Sequence, residues 1–173
     1  MGWWPSVARS QEATRPEPEY NNTVYWHDAA ANALRPLERQ VLKMRTKPKA
    51  LGLAGMSNTL QAEGAKSPTR FASNQVVSFV LKAPPGVDPQ TLIQLVKLTE
   101  AKDHRELLTS QLNTLSIHNR NDISAGRKAE VAFQVKRYSD SAVEISAAAP
   151  LEPGEYALRV PLGSTTAFCF GID

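Results

Sequence analysis

Pro150-Leu151-Glu152-Pro153-Gly154-Glu155-Tyr156-Ala157-Leu158 carries more architectural information than any other segment of the chain. Pro153-Gly154 makes a turn, and Leu151 ahead of it plugs a core. Tyr156 opens the next strand with its ring inside and its hydroxyl free to bond a backbone group upstream, the arrangement called a tyrosine corner. Leu151, Pro153, Gly154 and Tyr156 are therefore assigned a structural role.

Working outward from this corner, residues 154–160 and 165–172 form the strands on its C-terminal side. Residues 129–137 precede it, with Val131, Phe133 and Val135 alternating, and so do residues 142–147, with Val143 and Ile145 alternating. Four successive strands with no helix-length insertion point to antiparallel sheets and not to parallel βαβ units. Further upstream, residues 75–82 (Gln-Val-Val-Ser-Phe-Val-Leu-Lys) are the strongest strand, bounded by Asn74 and by Pro84-Pro85-Gly86. Residues 91–100 and 105–110 read as a hairpin around Ala101-Lys102-Asp103-His104, although Leu92, Leu95, Val96 and Thr99 also fit helical spacing. Residues 22–27 and 33–37 suggest a short hairpin, 41–44 continues a strand, and 57–63 is a strand closed by a turn at 64–68. Residues 116–128 are polar and turn-rich, a long surface loop.

The Leu-x-Pro-Gly-x-Tyr-x-Leu run from Leu151 to Leu158 resembles the immunoglobulin-like and fibronectin type III-like sandwiches of bacterial exported proteins, where it leads into the penultimate strand. The resemblance covers residues 75–173. The ending Phe168-Cys169-Phe170-Gly171-Ile172-Asp173 is similar to the terminal strand of a group of small bacterial cell-envelope proteins without assigned activity. It implies a periplasmic or cell-surface location and nothing about chemistry. The expected fold is thus all-β: an antiparallel immunoglobulin-like β-sandwich with an extended N-terminal arm. Residues 1–20 make the arm, and 21–173 make a single domain divided into a hairpin and basic segment (21–70) and a core sandwich (71–173).

Composition supports one ordinary globular domain. The chain has 173 residues, 42% hydrophobic and 21% charged, which suits a packed core and excludes disorder or a fibrous repeat. Twelve prolines and nine glycines divide it into short pieces. No stretch approaches the roughly 18 to 20 apolar residues of a membrane span. No export signal is visible, although residues 16–20 read like the polar lead-in that follows one. In the arm, Trp3 and Trp4 are candidate anchors onto the body or a partner.

Catalytic and metal chemistry find no pattern. His27, His104 and His118 form no His-x-His or His-x-x-x-His pair, and the single cysteine, Cys169, excludes Cys-x-x-Cys. His104 beside Asp103, and His118 with Asp122, read as solvated surface groups. Cys169, between Phe168 and Phe170 with no basic residue within six positions, reads as a small packing residue. No Gly-x-Ser-x-Gly, Walker or Gly-x-Gly-x-x-Gly loop occurs, and no cofactor or metal is expected. Asn21-Asn22-Thr23 matches a glycosylation acceptor pattern.

Charge is the remaining signal. Residues 35–70 hold eight Lys or Arg against Glu38 and Glu63, +6 within a chain of net +3. Arg39, Lys43, Arg45, Lys47 and Lys49 are the candidate partner-binding residues, able to dock another protein or an acidic surface by salt-sensitive attraction. Without interleaved aromatics or a recognition helix, nucleic acid is disfavoured. The same charges also suit an edge strand protected from aggregation. The expectation is a non-enzymatic protein-interaction or assembly module, with self-assembly through edge strands open to it. The alternative is a glycan- or small-ligand-binding sandwich that uses Tyr20, Tyr25 and Trp26 as a stacking platform.

Overall fold

The computed structural model describes residues 15–49, 55–113, 121–160 and 165–173. The described strands are β1 (Val24–Asp28), β2 (Ala33–Pro36), β3 (Glu38–Val41), β4 (Lys43–Lys49), β5 (Gly55–Glu63), β6 (Arg70–Phe71) and β7 (Ser78–Lys82). They continue with β8 (Gln94–Glu100), β9 (His104–Asn113), β10 (Asn121–Asp122), β11 (Phe133–Arg137), β12 (Ala142–Ala147), β13 (Gly154–Arg159) and β14 (Thr166–Ile172). One helical turn, α1 (Pro89–Leu92), and a 3-10 helix at Ile123–Ala129 complete the set. No helix among the described residues is long and apolar enough to cross a membrane.

The fold is all-β with antiparallel sheets. One layer is a five-stranded sheet in the order β11-β12-β7-β1-β2. The other follows the path β3-β14-β13-β8-β9-β5-β4, with β10 beside β9 and β6 beside β14 in parallel. Its two ends, β3 and β4, are consecutive in the chain and separated only by Leu42, whose N–H donates to the Thr165 carbonyl at 3.0 Å. The path therefore returns to its start, and this layer is a closed ring of strands. Side chains from across it meet inside: Arg105 of β9 donates to both carboxylate oxygens of Glu38 on β3, at 2.9 and 3.0 Å. Where β8 and β9 pair only at Thr99–Glu106 and Glu100–Arg105, the bridge between Val96 and Glu130 fills the gap.

Alternation on β14 and β13 divides the hydrophobic core in two. Phe168, Phe170 and Ile172, with Tyr156 and Leu158, turn toward the five-stranded sheet and pack on Val24, Phe79, Leu81 and Ile145. Ala167 and Cys169, with Ala157, turn into the ring, where they meet Leu42, Leu60, Val96, Leu98 and Leu107. A ring of so few strands has a narrow interior, which explains its small side chains. Gly171 continues their face: a Cβ there would collide with the Arg70 guanidinium and the Glu155 carboxylate.

One end of the ring interior is ionic. Arg105 and Glu155 are both 0% exposed, with Arg105 Nη1 3.4 Å from Glu155 Oε2. Arg105 also donates to the Gly64 and Glu63 carbonyls, while Glu155 accepts from the Ser67 N–H at 2.8 Å and from Arg70. Arg70 in turn bonds Asp173. Burial opposes the charge on Arg105, but its bonds to Glu38 keep its pKa above the ordinary guanidinium value. Removing one partner from such a cluster leaves an uncompensated buried charge, which is far costlier than losing a surface pair.

Tyr156 Oη donates to the Glu152 carbonyl at 2.8 Å, and Gly154 takes φ 147°, a conformation that L side chains rarely adopt. Leu151 is half-buried against the core. The 22–27 and 33–37 segments pair as the β1–β2 hairpin, with Asp28 accepting from the Ala31 N–H and from Arg35.

Several expectations shift. The 75–82 strand starts only at Ser78, because Gln75 N–H turns back to the Ala72 carbonyl. Of 91–100, the first residues belong to α1, since Asp88 caps its Gln90 N–H at 2.9 Å and Pro89 is preset for a first turn. The 41–44 segment is the junction of β3 and a longer β4 that carries Pro48, tolerated on an edge. Within 116–128, the described residues form β10 and most of the 3-10 helix instead of an open loop. Strands of the 21–70 and 71–173 segments interleave within the sheets: β1 pairs β7, and β3 pairs β14. Residues 15–20 of the arm lie on the outer face of the five-stranded sheet, where Tyr138 Oη donates to the Pro16 carbonyl at 2.9 Å and Pro18 is buried.

Arg105→Ala is expected to lower unfolding free energy by about 3–5 kcal/mol in a urea titration. Asp140→Ala, which removes the exposed partner of Arg137, should cost under about 1 kcal/mol. Equal small losses would refute a dependence of the ring on its buried ions.

Candidate functional site

β4 places Lys43, Arg45, Lys47 and Lys49 on one face by strand alternation, and no described strand pairs with its far edge. The positive charge counted along the sequence is partly cancelled by neighbouring strands. Lys43 pairs with Glu63, Lys47 Nζ lies 2.6 Å from Glu106 Oε2, and Lys49 Nζ donates to Gln111 Oε1 at 2.7 Å. Arg45 makes no ion pair among the described residues. Arg39 stands apart on β3, in a cleft with Tyr20, Asn22 and Phe168. On the other face of β4, Met44 is 70% exposed and, across on β5, Met56 is also exposed. The surface is thus a ribbon with a mixed-charge face and a methionine-bearing face.

His104 joins the mixed-charge face. Its Nδ1 is 2.6 Å from Asp103 Oδ1 and its Nε2 is 3.2 Å from Glu106 Oε2. The Asp103 bond, followed by that to Glu106, raises its pKa above 6.5. Asp103 is correspondingly lowered by His104. Glu106 also accepts from Gln61 at 3.0 Å, and its described partners are thus two cations and an amide. This is charge compensation on an open sheet surface.

His27 lies on the outer face of the five-stranded sheet, edge-on to Tyr138 with ring centroids 5.8 Å apart. Cys169 is wholly buried inside the ring, and burial pushes its thiol up to about 12. That environment suits packing and disfavours a thiolate nucleophile. His118, Trp3 and Trp4 lie outside the described residues.

The aromatic platform is not assembled by Tyr20, Tyr25 and Trp26. Trp26 turns inward, edge-on to Phe71 at 5.4 Å, Tyr25 is buried on the opposite face, and only Tyr20 is well exposed. Alternation along β1 separates the first two.

Sequence reasoning missed the buried cluster of Arg105, Glu155, Glu38 and Arg70. Its signal was present in Gly154-Glu155-Tyr156-Ala157-Leu158: Glu155 shares a face with Ala157, and a carboxylate on a buried face demands a cationic partner. No family model, curated protein or solved structure matches the chain.

Two titrations check these environments. His104 should show an NMR midpoint above 6.5 that falls in Asp103→Asn; a midpoint at or below 6.5 would refute the pairing. Because the folded state holds this proton more tightly, its stabilising contribution is full below about pH 6.5 and is lost as pH rises through the folded midpoint. Cys169 should resist thiol reagents at pH 8 in native protein and react at the unfolding rate, whereas rapid native labelling would contradict its enclosure.

Proposed function

We propose that this domain is a non-enzymatic protein-interaction or assembly module that docks an acidic protein surface on β4. The supporting observation is Arg45: an exposed guanidinium without an ion pair, in a row with Lys43, Lys47 and Lys49 on a strand whose far edge has no described partner. An acidic partner would gain a charge-assisted bond at Arg45 and compete for cations now shared with Glu63 and Glu106. Exposed Met44 and Met56 supply adaptable apolar contact on the opposite face of the same ribbon. The immunoglobulin-like kinship and the bacterial periplasmic or surface location are part of this reading. Both rest on the resemblance of residues 151–158 and 168–173, and the formed tyrosine corner supports the first.

The test is affinity capture from the native source with intact chain, Arg45→Glu and Arg45→Gln. A specific partner should be retained at low salt, released at high salt, and weakened about tenfold by Arg45→Glu, with Arg45→Gln intermediate. Retention unaffected by salt and by both substitutions would reject β4 as the docking surface.

A further inference from the structure

Arg39 turns away from the ring interior. Its neighbours on β3 face inward, where Gln40 donates to Glu38 and Glu38 accepts from Arg105, so alternation sets Arg39 on the outer side beside Phe168, its cross-strand partner on β14. Phe168 and Val160 belong to the core between the two layers, and Arg39 stands where that core reaches the surface. A cleft of about 500 Å³ opens there. Phe168 and Val160 give it an apolar floor, Arg39 and Thr166 line it from the ring, and Asn21, Asn22 and Thr23 line it from the lead-in to β1. Its size falls within the roughly 300 to 1,000 Å³ of ordinary small-molecule sites.

The polar wall is held in place. Tyr20 N–H donates to Tyr25 Oη at 3.4 Å, Asn21 bridges to Lys82, and the Asn22 N–H donates to the Lys82 carbonyl at 3.4 Å. Asn22 takes φ 55°, a left-handed conformation that asparagine tolerates, and this turns the chain from the arm into β1. Tyr20 also lines the cleft and is 59% exposed, with its hydroxyl bonded to Glu19. Among the described residues, no carboxylate lines the cleft, and no ion pair or hydrogen bond engages the Arg39 guanidinium. Arg35, Arg70, Arg105 and Arg137, by contrast, each hold a carboxylate. The cleft thus carries one uncompensated charge. A planar guanidinium is matched by one carboxylate through two parallel bonds. The other described lining residues are neutral: amides and hydroxyls that suit hydroxyl groups, and an aromatic ring that suits an apolar sugar face.

We propose that this cleft binds an acidic sugar, a uronic acid or a chain end carrying one, with its carboxylate on Arg39, its hydroxyls on Asn21, Asn22 and Thr23, and its C–H face on Tyr20. Arg39 selects for the acid, and the amide wall and the ring distinguish a sugar from a simple anion. The site uses no residue of β4 and stands or falls without the docking surface there.

The test is titration of the full chain with D-glucuronate and with D-galacturonate, followed by NMR at assigned backbone amides. At least one of the two should give saturable shifts centred on Asn21, Asn22, Thr23 and Arg39, with a dissociation constant of about 1 mM or tighter. D-glucose, which lacks the carboxylate, and acetate and inorganic phosphate, which lack the sugar ring, should each bind at least about tenfold more weakly. Arg39→Gln should weaken the acidic sugar about tenfold, Arg39→Lys should fall between, and Tyr20→Ala should weaken it about threefold, while Arg45→Glu leaves it unchanged. The comparison among ligands alters no protein residue, so it remains decisive even if a variant fails to fold. Absence of saturable binding by both uronates, shifts centred elsewhere, acetate or phosphate binding as well as the sugar acid, glucose binding as well, or indifference to Arg39→Gln would overturn the proposal.

Discussion

Two fully buried charges, Arg105 and Glu155, set the terms for the rest of the structure. A guanidinium and a carboxylate withdrawn from water are tolerable only when nearly every donor and acceptor finds a partner. Those partners come from far apart in the sequence: Glu38 before β4, the carbonyls of Glu63 and Gly64, the Ser67 N–H, and Arg70 linked to Asp173. Satisfying them draws β3, β9, β13 and the 64–70 turn to one point. Ring closure is the geometric expression of that demand. The small faces of Ala157, Ala167, Cys169 and Gly171 allow it, because larger side chains would not leave room for the ions.

Closure also shapes the exposed surface. A ring hides most of its strand edges, so the free backbone of the described strands is concentrated at β2, β11 and the far side of β4. β4 presents cations partly held by Glu63 and Glu106, whereas β11 presents an ordered row of backbone groups ending in a cleft. Residues 15–20 cover part of the outer face near Tyr138.

Much of the fold was legible in local patterns. Alternation identified β11 and β12, and Pro153-Gly154 with Tyr156 located the corner that joins the layers. Ring closure was not legible, because the pairing of Glu38–Val41 with Thr166–Cys169 leaves no local trace. The α1 turn was obscured by the apolar run that follows it, although Asp88-Pro89 carried a capping signal. At the surface, counting charge along 35–70 overstated the positive field, since Glu106 and Asp103 reach it from β9 and the turn before it. The β11 edge was invisible for another reason: the strand was recognised, but its sidedness depends on which residues bond to β12. The Ala148 N–H on the Ala132 carbonyl gives that role to Gln134 and Lys136.

Residue-resolved amide hydrogen exchange tests the combination of a closed ring and an open β11 edge most directly. The account predicts that the Leu42 amide, bonded to Thr165 at the ring junction, exchanges as slowly as the amides of β13 and β14. The Phe133, Val135 and Arg137 amides should exchange rapidly beside protected Gln134 and Lys136. A fast Leu42 amide, or protection at all five β11 positions, would contradict it.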